Sequence, residues 1–384
     1  MEYDFLSPVD ASLVQFGRQL SGQHFGSKII MHTDSDFPNL DQINIAIIGV
    51  TENRGTGSGW AQSDLSAIRK ELYSLFPGNW DLSVADLGDI IPGESVGDTY
   101  FAVRGVVAAL VKRKVLPIVI GGSQDLTYAI YRAYDSLEQM VNLVAIDSKF
   151  DLGKDDDTIS AGSYLSKIVL EEPNNLFNFS NLGFQTYYNS QEEIDLIEKL
   201  FFDAYRLGEI SSNISLAEPV LRDADIVSVD LTSIKSSDSA NNVIFTPNGF
   251  DGKEICALAR YAGISDRVSV LGVFNHNSTK SEAVLIAQIV WYFIEGYHYR
   301  SNEYPFSNKE QYLKYIVPLE DHQLIFYKSN RSDRWWIEIP FISPGNNKLK
   351  RNTLLPCSYE EYLSATNQEL PERWWKAQRK NILL

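Results

Sequence analysis

The stretch NLVAIDSKFDLG, residues 142–153, begins as an apolar strand and turns polar within one step. Four apolar residues precede Asp147, and a second carboxylate, Asp151, follows four positions later. Continuous apolar runs are typical of buried strands in a parallel sheet, and functional side chains gather where such strands end. Lys149 lies between the two carboxylates. The stretch therefore indicates either a metal site or a carboxylate cluster that is neutralised by an ammonium group.

Short apolar runs alternate with amphipathic segments through most of the chain, a pattern that predicts a mostly parallel sheet flanked by helices. We predict strands at residues 43–50, 116–122, 142–147, 178–184, 225–230 and 267–274. Helical patterns occur at residues 65–75, 103–110, 194–201 and 279–299. The predicted fold class is α/β, a three-layer sandwich whose central sheet is mostly parallel.

The composition changes after residue 299, where aromatic residues become dense. Candidate strands in HQLIFYKS (322–329) and RWWIEIP (334–340) are followed by helical patterns in SYEEYLSA (358–365) and ERWWKAQRK (372–380). We therefore divide the chain into a main domain, residues 1–299, and a C-terminal extension, residues 300–384, that packs on it. The extension's paired tryptophans are expected in its core; they are Trp335, Trp336, Trp374 and Trp375.

Charge and composition exclude several function classes. The formal charge of −16 argues against nucleic acid or an anionic membrane as the main partner. The apolar run at 283–296 is too short to span a bilayer and contains Gln288 and Glu295. The first residues lack the pattern of a signal peptide, so we expect a cytoplasmic protein. Cys256 and Cys357 are expected to be reduced structural thiols.

Three polar segments follow predicted strands, at residues 120–129, 146–152 and 227–238. Because the carboxyl ends of parallel strands meet at one edge of a sheet, these segments should lie together. On these motifs the chain resembles the ureohydrolase family of arginases, agmatinases and formimidoylglutamases, from about residue 44 to 297. The resemblance implies an arginase-like fold and a dinuclear manganese site that hydrolyses linear amidine C–N bonds.

The resemblance also implies six metal-ligand positions, of which this sequence retains half. The six are Gln124, Asp147, Lys149, Asp151, Asp230 and Thr232. The three aspartates keep the family's carboxylates. Gln124 and Lys149 stand where the family has histidine, and Thr232 stands where it has a bridging aspartate. The family's substrate-side glutamate aligns with Val273. A protonated lysine cannot coordinate a metal, so the resemblance implies a degenerate site.

Lys149 suggests what replaces the metal. Alternate residues of an extended strand share a side, so the side chains at 147, 149 and 151 should point the same way. The resemblance places Asp230 on the adjacent strand. We therefore predict that the Lys149 ammonium lies within salt-bridge reach of Asp147 or Asp230, and that the site holds no metal.

Other interpretations of these residues remain open. Asp147, Asp151 and Asp230 could retain one weakly held manganese ion. Ser123 and Gln124 could instead cap the helix that follows them. None of the five histidines falls on a ligand position; they are His24, His32, His276, His298 and His322. Of these, His276 follows a predicted strand, where it is either structural or a substitute ligand.

Three hypotheses of function follow. The first is a non-catalytic pseudoenzyme without a cofactor, a binding or scaffolding protein whose partner is another protein or a second copy of itself. The second is a metal-dependent hydrolase of a guanidino or formimidoyl compound with an altered site. The third is metal-free chemistry that uses Lys149 as a nucleophile or a base, which requires a lowered pKa, whereas neighbouring aspartates would raise it.

Overall fold

The computed structural model describes residues 3–57, 65–137, 139–153, 159–240, 244–277, 279–303, 305, 311–319, 323–339 and 354–383. The helices in these ranges are α1 (Ala11–Gln19), α2 (Leu65–Ser74), α3 (Val96–Lys112), α4 (Leu126–Ala133), α5 (Tyr164–Leu170), α6 (Gln191–Lys199), α7 (Leu207–Ser212), α8 (Ala217–Arg222), α9 (Ser236–Ser239), α10 (Gly252–Ile264), α11 (Lys280–His298), α12 (Tyr359–Thr366) and α13 (Glu372–Leu383). The strands are β1 (Leu6–Ser7), β2 (Ile30–Met31), β3 (Ile45–Val50), β4 (Val84–Ile90), β5 (Leu116–Ile120), β6 (Val141–Ile146), β7 (Leu176–Phe184), β8 (Asp203–Arg206), β9 (Ile226–Asp230), β10 (Val270–Phe274), β11 (Tyr312–Pro318), β12 (Gln323–Ser329), β13 (Trp335–Glu338) and β14 (Leu354–Cys357).

Ten strands form the central sheet in the order β1-β4-β3-β5-β10-β9-β6-β7-β8, and β2 pairs with β4. The strands pair in parallel except β1, which is antiparallel to β4. Alternate residues of β3 enter two different cores: Ile47 packs with α2, α10 and α11, and Ile48 packs with α3 and α4. The three-layer α/β sandwich predicted from the sequence is confirmed.

All six predicted strands are present, as β3, β5, β6, β7, β9 and β10. The sequence pattern did not reveal β4, whose apolar residues are interrupted by Asp86 and Asp89. Asp86 is fully buried because Arg69 and Tyr73 of α2 donate to its carboxylate at 2.8 and 2.7 Å. A buried polar network thus replaces the apolar pattern on which strand prediction depends.

A second, antiparallel sheet lies in the C-terminal part of the chain, with strand order β11-β12-β13-β14. The two aromatic-rich runs predicted as strands are β12 and β13, and they pair in the register Tyr327↔Trp336. Trp335, Trp336 and Trp374 are buried as predicted, and Trp375 is half-buried. The two predicted helices are α12 and α13.

Buried polar contacts connect this second sheet to the central one. Arg222, at the end of α8, donates to the carbonyl oxygens of Trp335 and Cys357, each at 3.0 Å. Its guanidinium lies 4.7 Å from the centroid of the Trp336 ring. On α13, Lys376 donates to the carbonyl of Phe202 at 3.2 Å. The C-terminal strands are therefore in direct contact with α8 and with the segment that leads into β8.

Two smaller predictions can also be compared with the structure. Cys256 and Cys357 are both free and buried, as predicted. The apolar run at 283–296 lies within α11 and contributes many residues to the core. None of the described helices is both long and apolar enough to cross a membrane.

Candidate functional site: the carboxylate cluster at the strand ends

The sheet order brings the three predicted site segments to one edge. Strands β5, β10, β9 and β6 are consecutive neighbours, and their parallel pairing aligns their carboxyl ends. Asp147 follows β6 and Asp230 ends β9, so the two carboxylates leave adjacent strands. Asp147, Asp151 and Asp230 are all buried, and each influences the titration of at least one other. We call these three residues the aspartate triad.

Thr232 is bound to Asp230 instead of extending into the site. The backbone N–H of Thr232 donates to Oδ1 of Asp230 at 2.7 Å, and its hydroxyl donates to Oδ2 at 2.8 Å. A short turn at 231–233 directly follows β9 and brings Thr232 back to the Asp230 side chain. Thr232 therefore supplies Asp230 with two hydrogen bonds, a role different from that of a second carboxylate.

Asp147 and Asp151 are less completely satisfied. Oδ1 of Asp147 accepts a hydrogen bond from the backbone N–H of Lys149 at 2.9 Å. The Oδ2 atoms of Asp147 and Asp151 are buried, and neither has a hydrogen-bond partner in the described part of the chain. Asp151 adopts a left-handed backbone conformation with φ 55°, which is uncommon for a residue other than glycine. The site thus presents two buried carboxylate oxygens, and Gln124 and Asp151 are side chains that interact with the Asp147 carboxylate.

The predicted ion pair of Lys149 is wrong. The Lys149 side chain is exposed, and its ammonium lies 5.8 Å from the centroid of the Tyr188 ring. The described residues contain no ion pair between Lys149 and a carboxylate. The strand ends at Ile146 and the chain bends at 147–149, so the alternation of an extended strand does not continue to Asp151. Lys149 therefore forms no ion pair with the described carboxylates of the aspartate triad, although its charge partly offsets the rise that burial causes in the pKa of Asp147 and Asp151.

Burial has a strong effect on how the triad titrates. It raises the pKa of Asp230 to about 7, with a further contribution from the charge of Asp147. It raises the pKa of Asp151 well above its usual value, and the charges of Asp147 and Asp230 add to the effect. The pKa of Asp147 is also raised by burial. Near neutral pH the triad therefore shares protons, and a protonated Asp151 can donate to Asp147.

Two residues at this site carried no recognisable signal in the sequence. Tyr164 of α5 is fully buried, and burial together with the triad's charges raises its pKa well above the usual value. Gln124 donates to its hydroxyl at 3.4 Å. Asn275, which has a left-handed φ of 57°, accepts from the backbone N–H of Gln124 at 3.1 Å and also bonds Asp230. Tyr164 comes from a segment that only the fold brings to the strand ends, whereas Asn275 directly follows strand β10.

The alternative interpretations of neighbouring residues can now be compared with the geometry. Helix α4 begins after Asp125, whose side chain makes no capping hydrogen bond, and Ser123 donates to the carbonyl of Glu52 at 3.3 Å. His276 is buried against Gly121, and burial lowers its pKa to about 4. Val273 is enclosed within β10. His322 lies outside the described residues.

A second acidic network lies beside Gln124. Asp125 is buried, its pKa is raised by burial to about 6, and it accepts a short hydrogen bond from Tyr100 of α3. Tyr100 also lines a cavity of about 530 Å³ between α3 and α4. Glu52 is held by Arg54 and by Thr99, which donates at 2.9 Å. None of the aspartate triad lines that cavity, so it is separate from the strand-end site.

The residues at the six positions do not fit the dinuclear manganese site that the family resemblance implies. Manganese binds carboxylate oxygens and imidazole nitrogens, whereas Gln124 offers an amide and Lys149 an exposed ammonium. Thr232 already donates its hydroxyl proton to Asp230. Across the described ranges, no group of three or more His, Cys, Asp and Glu side chains is arranged to hold a metal ion.

Comparison with known proteins identifies the family. The arginase family model matches residues 43–260, which is more than half of the chain and includes all six positions. The chain belongs to the arginase family. This assignment agrees with the order of the central strands and with the Gly121-Gly122 turn, in which both glycines adopt left-handed φ values of 101° and 72°.

Individual relatives of this arginase-family chain are distant. A formimidoylglutamase from Lysinibacillus sphaericus is 25% identical over 175 residues, which is 43% of this chain and 54% of that protein. One from Halobacterium salinarum is 33% identical over 131 residues, which is 31% of this chain and 40% of that protein. The chain thus spans about half the length of the curated relatives it matches.

Solved structures show the same fold over a longer range. A formiminoglutamase from Trypanosoma cruzi, crystallised with Mn²⁺, superposes with a TM-score of 0.64 and 20% identity over 69% of this chain and 97% of that one. A formimidoylglutamase from Bacillus subtilis gives a TM-score of 0.62 and 17% identity, covering 70% of this chain and 94% of that one. At these identities the comparison supports the fold alone.

Proposed function

We propose that this arginase-family chain is a binding or scaffolding protein that does not hydrolyse guanidino or formimidoyl compounds. Its partner is another protein or a second copy of itself, it works in the cytoplasm, and the C-terminal extension, residues 300–384, supplies the partner surface. The observation that carries the proposal is the state of the three altered positions. Gln124 binds Tyr164, Lys149 points to solvent, and Thr232 binds Asp230.

The physical reason concerns both charge and donor type. A pair of divalent cations requires several anionic or neutral ligands that converge on it, and only the aspartate triad remains to provide them. Activation of water for attack on an amidine carbon depends on such a site in metal hydrolases. Asp230, whose pKa is raised to about 7, can accept a proton at neutral pH, but it does not replace the positive charge with which a metal ion activates water.

A second candidate is an amidine hydrolase with an altered site, and one observation favours it. Oδ2 of Asp147, Oδ2 of Asp151 and Oε1 of Gln124 are buried acceptors without a donor in the described part of the chain. Buried acceptors of this kind are costly unless a proton, a water or a cation satisfies them. The two candidates therefore differ in whether protons or a cation compensate the triad.

Metal content and activity distinguish these candidates. The full chain, incubated with manganese chloride and desalted, is expected to retain no stoichiometric manganese by elemental analysis. It is also expected to release neither urea from L-arginine or agmatine nor formamide from N-formimidoyl-L-glutamate. The matched control is Asp147→Asn, which should behave identically in both assays. Tight manganese together with product release that Asp147→Asn abolishes would establish the hydrolase instead.

Restoring the family residues provides the converse experiment. The triple variant Gln124→His, Lys149→His and Thr232→Asp should show a melting temperature that rises with added manganese, because binding to the folded state alone stabilises it. The single variant Lys149→His serves as the control and should not respond. A triple variant indifferent to manganese would mean that these positions do not correspond to the family's ligands.

A further inference from the structure

A cavity of about 350 Å³ lies between β8 and the C-terminal helices, away from the strand-end site. One wall comes from Asp203 to Tyr205 and from Leu216 and Pro219 beside α8. The other wall comes from the start of α12 and from residues 369–376, which include the start of α13. Five carboxylates and two cationic side chains line this junction cavity, so its net charge is negative.

Arg373 is the polar group that this wall leaves incompletely satisfied. Its side chain is 9% exposed, and one terminal nitrogen donates to the carbonyl of Pro356 at 2.8 Å. Its Nε is buried and has no hydrogen-bond partner in the described part of the chain. The charges of Glu361, Asp203 and Asp223 stabilise its positive charge, but no carboxylate in the described ranges lies within ion-pair distance of its nitrogens. A buried guanidinium in this state favours an acceptor, and a carboxylate matches its planar donors best.

Two of the other polar residues that line the cavity already have partners among the described residues, and one does not. Lys376 is paired with Glu372 at 2.7 Å and with Asp203 at 3.7 Å. Glu361 accepts from the backbone N–H of Ser358 at 2.7 Å, as part of the cap of α12. Tyr205 lines the cavity, and its hydroxyl makes no hydrogen bond with another described residue.

The mouth of the cavity is acidic. Glu360 and Glu369 are exposed lining residues, and neither forms an ion pair with another described side chain. The cavity thus combines a donor end, formed by Arg373 and Tyr205, with an acidic mouth. A ligand that fits both ends carries a carboxylate on one side and positive charge on the other.

We propose that the junction cavity binds a small cationic amino acid, with its carboxylate at Arg373 and Tyr205 and its amino groups toward Glu360 and Glu369. The volume accommodates a molecule of this size. The site is separate from the aspartate triad, so the inference does not depend on the absence of hydrolase activity. Because one wall comes from β8 and α8 and the other from the C-terminal helices, a ligand bound there also bridges these two parts of the molecule.

Calorimetric titration of the full chain tests this with three probes that differ by one group. L-lysine carries both functions, cadaverine lacks the carboxylate, and 6-aminohexanoate lacks the α-amino group. L-lysine is expected to bind about tenfold or more tightly than cadaverine, because only L-lysine engages the guanidinium. It should also bind more tightly than 6-aminohexanoate, which carries one positive charge fewer toward the mouth.

Variants that keep the local packing locate the site. Tyr205→Phe removes only the hydroxyl. It should lower the affinity for L-lysine by roughly five- to tenfold and leave the affinity for cadaverine unchanged. Glu369→Gln should lower the affinity for both L-lysine and cadaverine. Glu198→Gln, an exposed glutamate of α6 outside the cavity, is the matched control and should change neither. Asp151→Asn should leave L-lysine binding intact, because it alters the strand-end site alone.

Three results would overturn the inference. The first is no measurable binding of L-lysine, which would mean that water alone satisfies Arg373. The second is equal affinity for L-lysine and cadaverine, which would remove the role of the guanidinium. The third is binding that Asp151→Asn abolishes and Tyr205→Phe does not affect, which would place the amino acid at the strand ends.

Discussion

The strand-end site and the junction between the two sheets both bury charged side chains, but they compensate charge in opposite ways. At the strand ends, three aspartates lie close together, and burial is the main cause of their raised pKa values, although the charge of Lys149 partly offsets the rise at Asp147 and Asp151. The nearby lysine, Lys149, is exposed. The aspartate triad therefore has an unfavourable electrostatic energy in the folded protein.

The junction, by contrast, satisfies its central charge almost completely. Arg222 pairs with Glu218 at 2.9 Å, donates to two carbonyl oxygens of the second sheet, and stacks over the Trp336 ring. A buried cation with this many partners holds two elements together, whereas a buried cluster of like charges does not stabilise the fold. Arg222 therefore has a structural role at the junction, whereas the charges of the aspartate triad do not stabilise the fold.

The largest expected effect is at the junction. Arg222→Met removes an ion pair and two hydrogen bonds to carbonyls, and should lower the free energy of unfolding by about 3–5 kcal/mol. Chemical denaturation measures this loss, and limited proteolysis should cut more rapidly near residue 300. The control is Arg113→Met, whose exposed pair with Asp41 should contribute about 0–1 kcal/mol. A junction variant as stable as this control would show that Arg222 does not join the two sheets.

The triad should respond in the opposite direction. Asp151→Asn keeps the shape of the side chain and suits the left-handed backbone, while it removes a carboxyl group that the folded state holds protonated at a cost that grows with pH. It should raise the free energy of unfolding by about 1–3 kcal/mol at pH 8. Asp86→Asn is the matched control, because Asp86 is equally buried but paired with Arg69, and it should destabilise the fold. Destabilisation by Asp151→Asn would mean that a cation, not protons, compensates the triad.

The dependence of this effect on pH sharpens the comparison. The unfolded aspartates lose their protons near pH 4, whereas the folded pKa of Asp230 is about 7. Between these values the folded state binds more protons, so the triad's contribution to stability is full below pH 4 and falls as pH rises through 7. The advantage of Asp151→Asn should therefore grow from pH 5 to pH 8 in denaturation experiments. An advantage that is constant across this range would contradict proton sharing.

The smallest effect is expected at Lys149. Since the ammonium is exposed and makes no ion pair with a described carboxylate, Lys149→Met should change the free energy of unfolding by about 0–1 kcal/mol. A buried counter-ion would instead cost about 3–5 kcal/mol on removal. Denaturation at pH 8 distinguishes the two. A large loss would mean that the lysine reaches the triad in solution.

Much of the fold followed from the sequence because its signals are local. The runs that became β3, β5, β6, β7, β9 and β10 are short and apolar, so each indicates a buried strand regardless of its neighbours. The strand-end motifs indicated the family for the same reason, and the family model confirms it over residues 43–260. The correspondence of the six positions to the family's ligands stays a prediction. Strand β4 was missed because its aspartates are buried through partners in α2, which no local pattern reveals.

The amino-acid sequence by itself determined which chemical groups stand at the strand ends, namely three aspartates together with Gln124, Lys149 and Thr232. Only the tertiary structure decided how those groups face one another. The bend after Ile146 and the left-handed Asp151 turn Lys149 outward, and distant segments bring Tyr164 and Asn275 inward. Residue identity fixes charge and donor type, but burial and direction depend on the packing of segments far apart in the chain, and these decide whether a charge finds a partner.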